Sequence, residues 1–439
     1  MNFSADILVI GSGWAGFAAA MEASRQGLTV ILVEKSSGAT AFSSGALDVA
    51  DAFSNSGNFF REEQLSLEKN LEEIIRKEAS HPYTRLSSQL GLGFFQDFLY
   101  ESIQQTCVSL PFQWCGDLQK NRLQVTSLGN LKSTAKVPEN MADADILSMN
   151  QAKILVVGIK GLATFQSGFI KEHLLEIQSG QAVPYIQFVG NLDLEVPGVA
   201  SRNSITDFEI AHALDQEKNF VPFAQSLLSY LQGKVYTHVL LPPCMGFVNV
   251  ELIHRTLKKI TGLQVAECLA YQMNVPGLRL KHAIKKSCES RGIQWISGEV
   301  KTILKQGDSL QAVEVESQKD IIRLHAKSFV FAGGKYLGGV IRSVQDSQEK
   351  LFSLSLTRAD EKHGEEGLDL QNLWKKGVLS NESFQPYLSE DHSVLRNLYA
   401  AGSILSGYDY IQGRCGAGVA IVTGVHAAKV AAAKIKNFS

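Results

Sequence analysis

The chain has 439 residues, of which 45% are hydrophobic and 20% charged, with 42 basic against 44 acidic side chains. Such a length exceeds what one compact core usually fills, so two domains, or one interrupted by another, are expected. The formal charge of −2 argues against a nucleic-acid footprint and against a basic membrane-binding face.

No run of about 18 uninterrupted apolar residues is present, so no transmembrane helix is expected. The apolar run near the N-terminus lacks a basic leader and is cut by glycines, which reads as strand and helix, not as a signal peptide. Cys107, Cys115, Cys244, Cys268, Cys288 and Cys415 are scattered, with no C-x-x-C and no metal-ligand spacing. Reduced thiols are expected, with no metal or iron–sulfur cluster held by this chain alone.

In chain order, "ILVIG" is a short apolar run of the kind a buried parallel strand needs. "GSGWAG" follows as G-x-G-x-x-G. Gly11 permits the tight turn, Gly13 lets a pyrophosphate approach the backbone, and Gly16 lets helix and strand pack closely. Ser12, Trp14 and Ala15 complete the loop. The small-residue helix stops at Gly27, and "LTVILVE" is the second buried strand. It ends at Glu34, beside Lys35 and about twenty residues beyond Gly13, where an acid can accept hydrogen bonds from ribose hydroxyls. The motif alone does not separate NAD from FAD. "SSGATAFSSGALDVA" comes next, small and hydroxyl-rich. It resembles the segment that flavoproteins of the fumarate reductase and succinate dehydrogenase type place against the flavin, with Ser43, Ser44, Gly45 and Ala46 as candidate contacts.

Residues 62–78 and 88–105 read as amphipathic helices with "HPYTR" as a loop between them, and "NRLQVTSLGNLKSTAKVP" as a hairpin around Gly129. "KILVVGIKGLATFQSGFIKEHLLEI" is a strand, a glycine turn and a helix. "AVPYIQFVG" and "VYTHVLLPP" are strands; 207–215, 219–232, 249–261 and 277–291 are helices. From residue 293 short strands return, with Val300 a candidate flavin-side position. "AKSFVFAGGKYLGG" is a buried strand whose Ala332, Gly333 and Gly334 would abut a flavin. "NLYAAGSILSGYDYIQGRCGAGVAIVTG" is a strand with Gly402 and Ser403 at its end, then a terminal helix starting near Gly416, Ala417 and Gly418. A helix N-terminus there favours the anionic reduced flavin. Glycine motifs thus sit at both ends of the chain. The expected fold is α/β: a doubly wound FAD/NAD(P)-binding flavoprotein domain, 1–60 and 277–439, interrupted by an α+β substrate or cap domain, 61–276.

The segments "FSSGALDV", "HPYTRL", "TSLGNLKST", "ILVVGIKGLATFQ", "SRNSITDFEIAHALD", "LLPPCMGF", "PGLRL", "AGGKYLGG" and "NLYAAGSILSGYDYIQGRCGAGV" resemble the flavoprotein-subunit family of anaerobic glycerol-3-phosphate dehydrogenase from end to end. The resemblance implies a flavoprotein that oxidises sn-glycerol 3-phosphate to dihydroxyacetone phosphate. Its electrons would pass toward the quinone pool for fumarate or nitrate respiration. Implied partners are a second flavoprotein subunit and an iron–sulfur membrane-anchoring subunit, which would hold this cytoplasmic chain at the inner face of the membrane. The family implies FMN, whereas Glu34 and the crossover favour FAD. A phosphorylated alcohol needs a base, a hydride acceptor and cations for its phosphate. Candidates are His81, Lys132, Arg202, Arg279, Arg358, His363 and, beside the terminal helix, Arg414. Two alternatives stay open: a stand-alone FAD-dependent oxidoreductase of the fumarate reductase type, and a non-catalytic flavin-carrying or scaffold subunit.

Overall fold

The computed structural model describes residues 2–53, 65–179, 185–199, 204–271, 274–318, 320–343, 345–357 and 370–437. They form two compact units. One comprises Met1–Thr40, Asp48–Pro111 and Lys281–Ser439; the other comprises Ala41–Leu47 and Phe112–Leu280.

The first unit is built on a seven-stranded sheet. Its parallel part runs Gln294–Ser297, Val30–Glu34, Asn2–Ile10, Asp320–Phe331 and Leu398–Ala400, and the strands Ser309–Ser317 and Glu299–Gln306 extend it antiparallel. Ile7, Leu8, Val9, Leu32, Phe329 and Val330 are fully buried. These strands read as unbroken apolar runs because they are buried, with the helices Trp14–Arg25 and Gly416–Asn437 packed against them. Each such side chain contributes roughly 1.5–3 kcal/mol on burial. The register aligns Ile10 with Val33 and Phe331, and Phe331 with Ala400. The loops after all four strands therefore leave one edge of the sheet, where open α/β folds bind ligands.

The helix Trp14–Arg25 follows the first strand, and the terminal helix Gly416–Asn437 packs along it. The terminal helix is long and apolar enough to cross a membrane by length and composition, although the sequence led us to expect no such span. Here 67% of its most apolar window is buried, as in a core helix.

The sequence alone places 61–276 in the insertion. In the structure, the helices Leu67–Lys77, Pro82–Leu90 and Leu92–Val108 cluster with the first unit, because Leu92–Val108 packs on the terminal helix. "HPYTR" is a helix start, not a loop. His81 is the N-cap, its Nδ1 accepting the Tyr83 N–H at 3.0 Å, and Pro82 supplies a helical φ where no N–H is needed.

The second unit is more α/β than the α+β reading anticipates. Its main sheet is wholly parallel, ordered Gln264–Glu267, His238–Leu241, Ala152–Ile159, Ile186–Leu194, with helices in the connections. The short strand Gln264–Glu267 escapes the sequence reading. Two short antiparallel pairs accompany the sheet, Trp114–Cys115 with Val137–Pro138 and Arg122–Val125 with Leu131–Thr134. The second pair is the hairpin expected around Gly129.

Candidate functional site

The carboxyl edge of the first unit's sheet collects most of the expected cofactor residues. Gly11 has φ +110°, and a Cβ there would overlap the Ala332 carbonyl; a Cβ on Gly16 would overlap the Gly11 carbonyl. The crossover is thus closed tightly around backbone at the start of the Trp14–Arg25 helix. The Trp14 N–H donates to Thr40 Oγ1 at 3.3 Å. Gly333, Gly334 and Gly402 follow neighbouring strands, Ser403 Oγ lies beside Gly334, and Gly402 N–H donates to Thr423 Oγ1 at 2.9 Å. Val300 pairs with Val315 on the antiparallel extension, and Lys35 ion-pairs with Glu299 at 2.8 Å. This backbone-lined edge fits the phosphate end of a flavin nucleotide.

Glu34 is not waiting for a ligand. Its Oε1 takes the Lys281 ammonium at 2.6 Å and the Ser12 hydroxyl at 3.1 Å, and its Oε2 accepts the Trp295 indole N–H at 3.0 Å. Lys281 also donates to the Ser12 carbonyl at 3.0 Å and to its hydroxyl. Two oxygens with about two lone pairs each leave one acceptor position for a ribose. Glu34 therefore does not by itself demand FAD, because its carboxylate is already partnered. Lys281 and Trp295 were missed because they lie far along the chain, in "LRLKHAIKKSCESRGIQW".

At the terminal helix, Arg414 adopts φ +40° and pairs with Asp51, Nη1 to Oδ2 at 3.4 Å. The pair is neutral as a unit. Behind it lies a buried polar cluster. His81 Nε2 faces Cys415 Sγ at 3.6 Å, and since Nδ1 accepts, the neutral ring carries its proton on Nε2. Burial, with Lys375 adding to it, pushes His81 down to about 3. His81 therefore stays neutral and caps a helix, which is poor preparation for a base. Tyr408 stacks edge-on to His81 at 5.2 Å. The Lys335 ammonium lies 5.0 Å from the Tyr408 ring and 5.8 Å from the Tyr410 ring, and donates to the Trp374 carbonyl at 2.5 Å. Burial brings Lys335 down to about 7 against the pull of Asp409. Lys335 stands directly after the "AGG" glycines, a position the sequence reading passed over. Gly418 sits against the Tyr83 hydroxyl and donates its N–H to the Asp48 carbonyl at 2.9 Å; Gly416 lies against Tyr410, with Ala417 between them in sequence.

In the second unit, Lys132 Nζ donates to Ser44 Oγ at 3.3 Å, so two separately chosen candidates meet. The Ser43 hydroxyl is buried with no hydrogen-bond partner among the described residues. Ala46 joins Val137, Met141 and Leu269 in a small apolar cluster, and Gly45 lies against Pro276 and Met141. Arg279 is committed internally. It forms a two-pronged ion pair with Glu267, at 2.7 and 2.9 Å, and donates to the Gly246 carbonyl at 2.8 Å. Arg202, Arg358 and His363 lie outside the described residues. The six cysteines are free thiols, five of them buried.

A family model described as FAD binding domain matches residues 6–419. Curated relatives include a subunit of anaerobic glycerol-3-phosphate dehydrogenase from Actinobacillus pleuropneumoniae serotype 5b, 24% identical over 98% of this chain and 99% of that one. The protein of the same name from Vibrio cholerae serotype O1 El Tor is 26% identical over 96% and 95%. Among solved structures, 3-ketosteroid delta1-dehydrogenase from Sterolibacterium denitrificans aligns at TM-score 0.44 and 12% identity, covering 98% of this chain and 100% of that one. An E. coli quinol fumarate reductase chain aligns at 0.42 and 9%, covering 100% and 72%.

Proposed function

Because the chain belongs to the FAD binding domain family, we propose that it is the flavin-bearing subunit of an anaerobic glycerol-3-phosphate dehydrogenase. In this reading sn-glycerol 3-phosphate is oxidised to dihydroxyacetone phosphate. Electrons leave through an iron–sulfur partner toward membrane quinone, and a second flavoprotein subunit completes the assembly. The observation that carries the reading is the similarity to relatives of that name along nearly the full length of both chains. The proposed cofactor is FAD, supported by the family match.

Bound flavin supplies the acceptor for the hydride of a secondary alcohol. The chain's own residues hold and bias it. The first turn of the Trp14–Arg25 helix offers N–H groups to phosphate, and the terminal helix offers its positive end to developing negative charge. Lys132, steadied by Ser44, is the proposed cation for a substrate phosphate. Neither His81 nor Arg279 offers a base: the His81 Nδ1 lone pair is taken by the Tyr83 N–H, and the Arg279 guanidinium stays protonated and paired with Glu267.

The test is anaerobic mixing of the flavin-loaded chain with glycerol 3-phosphate, alone and with the partner flavoprotein. Bleaching of oxidised flavin only when the partner is present supports the assembly. Bleaching at turnover rate without it makes this chain the dehydrogenase itself. Chromatography of the released cofactor decides FAD against FMN.

A further inference from the structure

Lys335 is 3% exposed, and Tyr408 and Cys415 beside it are fully buried. Among the described residues the ammonium meets one carbonyl and two aromatic rings, and no carboxylate lies within ion-pair distance of it. Asp409, whose charge acts on Lys335, turns its Oδ1 to the N–H groups of Ile411 and Gln412, at 2.8 and 3.0 Å. The Tyr408 hydroxyl is buried without a hydrogen-bond partner among the described residues. A buried cation and a buried hydroxyl, both short of partners, are unfavourable in an empty site. They stand at the N-terminal end of a 22-residue helix, whose own field also favours negative charge.

We propose that the Lys335 ammonium and the Tyr408 hydroxyl form an anion subsite, with the start of the Gly416–Asn437 helix, for the negative edge of the reduced flavin. The inference rests on the flavin reading above and deepens it. When a secondary alcohol gives up hydride, two electrons and one proton reach the flavin, and the hydroxyl proton goes to a base. One negative charge is then left over the flavin N1 and C2 carbonyl. A buried cation stabilises that charge far more than an exposed one, because little water screens it. Lys335, not Arg414, is the positioning residue for this charge, since Arg414 is already matched by Asp51.

The test uses the full chain loaded with flavin, its midpoint potential measured by dye equilibration. Lys335→Met should shift the reduced-to-oxidised affinity ratio by at least tenfold, about 30 mV more negative for a two-electron couple. Lys335→Arg should restore most of the shift, and Tyr408→Phe should fall between. Flavin-free Lys335→Met should melt at or above the wild-type temperature, which a lysine kept only for structure would not allow. A flavin-loaded Lys335→Met with the wild-type potential overturns the subsite and leaves the flavin reading standing. A chain that takes up no flavin overturns that reading, and the subsite with it.

Discussion

Arg279 in the second unit and Lys335 in the first are both buried cations, and their surroundings differ in kind. Arg279 meets both oxygens of Glu267 and the Gly246 carbonyl, while Asn140 and the Met245 N–H hold the same carboxylate at 2.5 and 2.6 Å. Lys335 has one carbonyl and two ring faces. The first arrangement accounts for its charge completely, as a structural tie must. The second leaves charge over, at a cost in stability, as the proposed anion subsite requires. Completeness of partners, more than burial, separates the architectural cation from the functional one.

The most direct way to break this contrast is to unmatch the matched pair. Glu267→Gln leaves the Arg279 guanidinium buried beside a neutral amide, which should cost about 3–5 kcal/mol. Urea denaturation of the full chain measures it. A loss under about 1 kcal/mol would mean that Arg279 is not the tie that its geometry describes.

The second test reads the unmatched cation through pH. Lys335 lies at about 7 when folded, below its ordinary 10.5, so above pH 7 the unfolded chain holds a proton that the folded chain has released. Stability should therefore rise with pH across that window, by about 2 kcal/mol between about pH 7 and 9 from this one group. The same curve for Lys335→Met should lack that contribution. Parallel curves for the two proteins would show that Lys335 is not desolvated.

The sequence made the nucleotide edge legible because its signals are local. "ILVIGSGWAG" puts strand, turn and helix within one short stretch, and Glu34 follows at a fixed remove. What it could not show was who else reaches that edge. Lys281 and Trp295 arrive from residues far away in the chain, and only the parallel pairing of Gln294–Ser297 with Val30–Glu34 brings Trp295 to the acid. Lys335 and Tyr408 were hidden differently. Each sits in a quoted glycine-rich segment, but a lysine beside glycines reads as solvated until its burial is known. The "HPYTR" loop failed for a local reason: proline was read as a breaker where it is the first residue of a helix.

The Glu34 corner offers a smaller test. If Lys281 holds acceptor capacity that a ribose would use, Lys281→Met should free one acceptor position on Oε1, which keeps the Ser12 hydroxyl. The preference for FAD over FMN should then grow by about 1 kcal/mol, the scale of one hydrogen bond. Equilibrium titration of the flavin-free chain with each nucleotide gives the ratio. A falling preference would show instead that Lys281 serves the phosphates through its place at Ser12.

Arg414 gives the smallest net effect and the sharpest control for Lys335. Fields add, so the Arg414–Asp51 pair acts on its surroundings mainly as a dipole, and its two charges largely cancel at a distance. Arg414→Ala alone should lower the flavin potential, because the Asp51 carboxylate, which is 4% exposed, then loses one of its partners. Asp51→Asn alone should raise the potential by a comparable amount, and the double variant should return close to the wild-type value. The three potentials form a cycle whose coupling term reports the pair. If the double variant stays as low as Arg414→Ala, the guanidinium acts on the flavin in its own right, and Lys335 is then not the only cation supporting its reduced state.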